Sequence, residues 1–151
     1  MLDKIITATF KMHKGDIVFR LLEESPIHTN AFINNAESGK FKGVNFYRLV
    51  NNWIAQTSPT EASGPMWDEL KPPRRAKDNN IHFFGVLSSA NSGTEHTSVG
   101  AFFICLGRWR GKDLDKNYTT FGHILSGWEH IEKIEKGDIL NDVIINTYTL
   151  N

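Results

Sequence analysis

A two-residue alternation of apolar and polar side chains, in short runs cut by Gly, Pro and Asn, is the strongest constraint on what this chain can fold into. It is clearest in KIITATFKM and IVFRLL, on either side of Lys14-Gly15-Asp16. A period of two puts every second side chain on one face, as a half-buried strand requires. The two runs therefore predict a β-hairpin over residues 4–22. Further strands are predicted from Phe46 to Ala55, with Asn51-Asn52 as a turn or bulge, and from Phe83 to Ala90. Three more are predicted from Ala101 to Leu106, Thr119 to Leu125 and Asp142 to Leu150.

Helical spacing occurs in two places. Ser25-Pro26 breaks the second strand, and Ile27, Ala31, Phe32 and Ala36 then recur near a helical period, with Gly39 as a stop. Ser126-Gly127-Trp128-Glu129 has the form of a capping box. Trp128, Ile131 and Ile134 follow on one face, and Gly137 ends the helix. The segments 57–80 and 107–118 read as long polar loops. About eight strands and two short helices, without strand–helix–strand alternation, argue for an antiparallel barrel or sandwich and against a doubly wound fold.

The 151 residues correspond to one domain, 1–151. With 40% hydrophobic and 11% aromatic residues, the chain can build a core without disulfides or a structural metal. Lys plus Arg and Asp plus Glu both number 17, so no bulk electrostatic partner is expected, neither nucleic acid nor an anionic membrane. The basic run Lys71 to Lys77 reads as a solvated turn. Cys105 is the only cysteine, which excludes an intramolecular disulfide and fits either a reducing compartment or indifference to redox state. The N-terminus reads as strand rather than signal peptide, and no apolar run approaches the roughly 18 residues of a membrane span. A cytoplasmic location is the resulting expectation.

Motifs for metal, phosphate and nucleophilic chemistry are missing. The six His residues, at 13, 28, 82, 96, 123 and 130, form no HExxH and no closely spaced pair. Gly107 to Lys112 is one residue short of a P-loop and lacks the following Ser or Thr. No metal or cofactor is expected.

FYRLVNNWIAQ, residues 46–56, is more informative. Arg48 lies between apolar neighbours on a predicted strand. Taken alone, such a residue reads as an edge arginine whose stem covers the core while its head reaches water. Trp53 follows five residues later and Gln56 eight residues later. This spacing resembles a signature of the cyclophilins, which are peptidyl-prolyl cis-trans isomerases. FGVLSSANSG followed by AFFIC resembles a second, and TFGHILSGWEHIEKIE a third. The motifs occur in the family's order and span nearly the whole chain.

The resemblance implies a mainly β fold, a closed eight-stranded antiparallel β-barrel capped by two short α-helices. It also implies accelerated rotation about Xaa-Pro bonds in proline-containing peptides or proteins, with a role in folding or conformational switching. Arg48 matches the catalytic arginine, and Gln56 the glutamine that orients it and contacts substrate. Trp53 stands in the pocket wall where Phe is usual, and Ile54 where Met is common. Phe103 matches the pocket floor and Leu114 the last wall, while Tyr118 occupies a site often held by His. Ala90 and Asn91 match the backbone platform for the substrate residues preceding proline.

Several positions depart from the family pattern. Gln56 is followed by Thr57-Ser58-Pro59 instead of Gly-Gly-Asp. Ala101 takes the place of a substrate-binding glutamine. Asp113 replaces an aromatic important for cyclosporin recognition, so weak cyclosporin binding is expected. Trp53 either deepens the pocket, narrows it, or packs sideways as core. Active isomerisation is the leading reading. The alternatives are a catalytically weak module that binds proline-containing segments and a scaffold that uses the two long loops. A monomer is expected.

Overall fold

The computed structural model describes residues 4–60, 80–90, 98–109 and 111–149. The predicted hairpin forms β1 (Lys4–Met12) and β2 (Ile17–Leu21), with Phe10 opposite Ile17 beside the turn. In β2 the alternation buries Ile17, Phe19 and Leu21. Helix α1 (Pro26–Glu37) follows. Proline suits its first turn because the amide it lacks has no intrahelical acceptor there.

The remaining strands are β3 (Val44–Asn45), β4 (Arg48–Val50), β5 (Ile54–Gln56), β6 (Val86–Ala90), β7 (Ser98–Cys105), β8 (Thr120–Ser126) and β9 (Ile139–Thr149). All pair antiparallel in one curled sheet of order β3-β9-β1-β2-β8-β6-β7-β5-β4. The fold is mainly β and barrel-like, as expected, with nine strands among the described residues. The edge strands β3 and β4 are separated in sequence only by Phe46 and Tyr47. No ladder joins them. Instead Ser58 N–H, just past β5, donates to Asn45 O at 2.7 Å, and Asn45 N–H donates to Ser58 Oγ at 3.3 Å.

Aromatic rings fill the space between the curled sheet and α1. Phe10, Phe19, Phe32, Phe41, Phe46, Phe102 and Phe121 are all essentially inaccessible. From α1, Phe32 meets Phe102 edge-on at 5.4 Å and Phe121 at 5.0 Å. Each such side chain contributes roughly 1.5–3 kcal/mol on burial, so this cluster is the main stabilising element.

Two local expectations change. The segment expected as a loop at 107–118 contains helix α2 (Lys112–Asn117), with Asp113 and Asp115 in its first turn. Acidic residues there complement the positive end of the helix dipole. Leu114 is its only apolar residue, so no helical period was visible. The predicted C-terminal helix is shorter than expected, α3 (Trp128–Ile131), and its N-cap is Gly127 rather than Ser126. Gly127 has φ 95°, and a Cβ there would lie 2.7 Å from Asp16 O, so only glycine fits. Within the segment 57–80, residues 61–79 lie outside the described residues.

Candidate active site

The site is built on a hairpin. Trp53 N–H donates to Val50 O at 3.0 Å, and Asn52 takes φ 61°. Asn tolerates this left-handed region better than most side chains. The turn sets the register: Val50 opposes Ile54, Leu49 opposes Ala55 and Arg48 opposes Gln56. A Cβ on Gly107 would come within 2.9 Å of Asn52 O, so glycine lets the next loop approach the hairpin tip.

The register continues across the sheet. Gln56 opposes Phe103 on β7, and Phe103 opposes Ser88 on β6. Opposed residues share a face, so Arg48, Gln56, Phe103 and Ser88 form one row across four strands. The neighbouring row, Leu49, Ala55, Ile104 and Leu87, belongs to the main core.

Arg48 is exposed at the end of the site row. Its Nη1 donates to Gln56 Oε1 at 3.3 Å, and Gln56 Nε2 donates to the Tyr47 hydroxyl at 3.4 Å. The guanidinium carbon lies 5.4 Å from the centroid of the Trp53 ring, within cation–π range. Trp53 is 40% exposed. It is therefore a surface wall beside Arg48 and not a core residue. The arginine head is held between an amide and an aromatic face while the residue stays exposed.

Next to the arginine lies a second apolar cluster, separate from the main core. Ile54, Val86, Ala90, Phe103, Cys105 and Leu114 are buried in it, and Ala101 and Tyr118 pack against it. Tyr118 meets Phe103 edge-on, with ring centroids 5.7 Å apart. Helix α2 delivers Leu114 to this cluster. The structure thus brings together Arg48, Gln56, Trp53, Ile54, Ala90, Ala101, Phe103, Leu114 and Tyr118. Ile54 and Ala90 are buried, so their side chains support the wall more than they face solvent. Asn91 lies outside the described residues. Asp113 is exposed, and Trp109, 88% exposed, borders a cavity of about 220 Å³ shared with Trp53, His82 and Leu114.

Burial, with a smaller contribution from Asp115, pushes the Cys105 thiol well above its usual range. Cys105 is thus a small apolar core residue rather than a nucleophile. Among the described residues, no three His, Cys, Asp or Glu side chains group as a metal site would require.

Sequence reasoning missed four polar residues. Tyr47 lies inside the FYR motif, yet only its neighbours were assigned roles. His82 is fully buried. Its Nδ1 lies 2.8 Å from Asp115 Oδ1 and its Nε2 lies 2.8 Å from Ser88 Oγ. Nothing in sequence spacing links His82, Ser88 and Asp115. Only the fold brings them together.

A family model described as "Cyclophilin type peptidyl-prolyl cis-trans isomerase/CLD" matches residues 5–149. A peptidyl-prolyl cis-trans isomerase of Helicobacter pylori strain J99 is 30% identical over 149 residues, covering 96% of this chain and 90% of that protein. The human peptidyl-prolyl cis-trans isomerase-like 3 is 27% identical over 158 residues, covering 97% and 96%. The crystal structure of a Cryptosporidium parvum cyclophilin type peptidyl-prolyl cis-trans isomerase superposes with a TM-score of 0.78 at 20% identity, covering 94% of this chain and 98% of that one. By its sequence match over nearly its whole length, the chain belongs to the cyclophilin-type peptidyl-prolyl cis-trans isomerase family.

Proposed function

We propose that Arg48 is the catalytic group of this isomerase and that the apolar cluster beside it receives the substrate proline. The observation that carries this reading is the row Arg48–Gln56–Phe103, which sets an exposed guanidinium next to a buried aromatic floor. Amide resonance gives peptide-bond rotation a barrier of about 18–20 kcal/mol. Cis and trans Xaa-Pro differ by only about 0.5–1 kcal/mol. The task is therefore to stabilise the twisted state between two nearly balanced ones.

In that state the prolyl nitrogen becomes pyramidal and regains its lone pair. A guanidinium N–H of Arg48 donates to that lone pair, and a second donor of the fork reaches the substrate carbonyl. Gln56 fixes the direction of the fork. Phe103, Leu114 and Tyr118 hold the ring while the acyl side turns, and Trp53 closes the flank beside the arginine. Ile54 and Ala101 complete the wall, while backbone at Ala90 pairs with the residues preceding proline. Neither a covalent intermediate nor a bound cofactor enters this scheme.

Substrates are exposed proline-containing segments of other proteins, and the activity serves their folding or switching. Asp113 offers neither an aromatic face nor a ring N–H, which supports weak cyclosporin binding. The balance of 17 basic and 17 acidic residues supports a protein without a nucleic-acid partner, and a single buried cysteine supports a cytoplasmic location.

The test is cis–trans exchange in an Ala-Pro peptide, with wild type and Arg48→Ala. Loss of one transition-state donor is expected to lower kcat/KM by about 10²-fold or more. Equal rates for the two proteins would remove Arg48 from the mechanism. Peptide binding without faster exchange by wild type would favour a binding module.

A further inference from the structure

We propose that His82 and Asp115 are positioning residues that hold the floor and the last wall of the proline pocket at a fixed separation. The inference rests on the pocket proposed above and concerns how it is kept in shape. The Asp115 carboxylate accepts two hydrogen bonds from His82, one from its backbone N–H at 2.7 Å and one from ring Nδ1 at 2.8 Å. A carboxylate is an acceptor only, so the proton on this side of the ring belongs to Nδ1. Nε2 then faces the Ser88 hydroxyl at 2.8 Å as an acceptor.

Both ends of this chain reach the pocket. Ser88 is the residue directly opposite Phe103 in the β6–β7 ladder, and the His82 ring stacks on Phe103 with centroids 6.0 Å apart and planes inclined by 23°. His82 therefore lies against the floor. Asp115 is the neighbour of Leu114 on α2. Gly111 N–H, immediately before the helix, donates to His82 O at 2.7 Å. Asn80, two residues before His82, fixes the other end of the helix. Its side-chain amide donates to Asp115 O and to Tyr118 O, both at 2.7 Å. The short stretch 80–82 thus grips α2 at both ends and by its middle carboxylate.

The hydrogen-bond order Asp115–His82–Ser88 is that of a nucleophilic relay. Ser88 and His82 are, however, essentially without exposed surface, and the Ser88 hydroxyl also lies 3.3 Å from Thr119 O. A hydroxyl enclosed in mid-sheet meets no substrate carbonyl. The relay geometry here serves orientation. A six-residue helix has little stability of its own. A partly buried hydrogen bond to a carboxylate is what sets where its leucine stands.

The experiment compares the full chain as wild type, Asp115→Ala and Asp115→Asn, with KM and kcat for an Ala-Pro peptide measured on folded protein. Loss of the carboxylate acceptor is expected to raise KM about tenfold in Asp115→Ala with kcat within about threefold, because ground-state and transition-state binding fall together. Asp115→Asn keeps an oxygen acceptor and should restore KM to within about threefold of wild type. Wild-type KM in folded Asp115→Ala, or a fall in kcat alone, would overturn the proposal. Should Asp115→Ala not fold, the ¹H–¹⁵N spectrum of the wild-type imidazoles decides. His82 is expected as the Nδ1–H tautomer, and the Nε2–H tautomer would overturn the clamp. Wild-type KM in Asp115→Ala beside an inactive Arg48→Ala would sink the clamp and leave the pocket standing.

Discussion

Arg48 and Gln56 face one another across the β4–β5 ladder, and the guanidinium donates to the amide oxygen at 3.3 Å. The amide nitrogen turns the other way, to the Tyr47 hydroxyl at 3.4 Å. Tyr47 therefore helps to keep the oxygen end of Gln56 toward Arg48. Gln56→Ala is expected to lower kcat/KM about tenfold, the value of one hydrogen bond to a charged group. In Arg48→Ala the same second change should cost little more, because the pair acts as a unit. Exchange rates for the four proteins check both statements, and full additivity would refute the coupling.

Phe102 and Phe103 are adjacent on β7 but belong to different apolar clusters. Phe102→Ala is expected to cost about 3–5 kcal/mol of stability, as for other large core truncations. Phe103→Ala should cost less stability but lose most activity in the protein that remains folded. Urea midpoints together with activity per folded molecule separate the two effects. A larger stability loss at Phe103 than at Phe102 would contradict the division.

Cys105 is 2% exposed, and burial keeps its thiol protonated. Native protein should react with an aromatic disulfide reagent only as it opens, and at least about 10³-fold faster in denaturant if exchange requires global unfolding. Rapid labelling of native protein would mean that β7 opens locally.

His123 lies opposite Arg20 in the β2–β8 ladder. Partial burial lowers its pKa, Arg20 lowers it further, and Glu24 opposes the shift. A depressed histidine pKa means that the unfolded chain binds the proton first. The stability from neutral His123 is thus present above the ordinary value of 6.5 and is lost as pH falls through the folded value. His123→Gln should flatten the fall in urea midpoint between about pH 7 and pH 5. The change will be small because the ring is largely in water. An unchanged pH slope would show that other groups dominate.

The strands and α1 were legible in the sequence because their burial follows a period, as Ile17, Phe19 and Leu21 do in β2. The β4–β5 hairpin was legible because Asn51-Asn52 announces a turn, and the turn forces Arg48 opposite Gln56. Helix α2 was not legible. It is short, holds one leucine, and depends on contacts from residues 80–82. His82 was opaque for a related reason, since its partners lie 6 and 33 residues away. Ser126 looked like a cap, but the tight approach of Gly127 to Asp16 moved the start of α3 by one residue.

The row that holds Arg48, Gln56 and Phe103 runs alongside a row that holds Leu49, Ala55 and Ile104. Along β5 and β7, therefore, alternate positions answer to different demands. Positions 55, 102 and 104 pack the main core, and positions 56, 101 and 103 face the proposed site. Substitutions such as Ala101 can accumulate on one side of a strand while the other side stays unchanged. A lineage can change its clients by neighbouring mutations without having to reinvent its barrel.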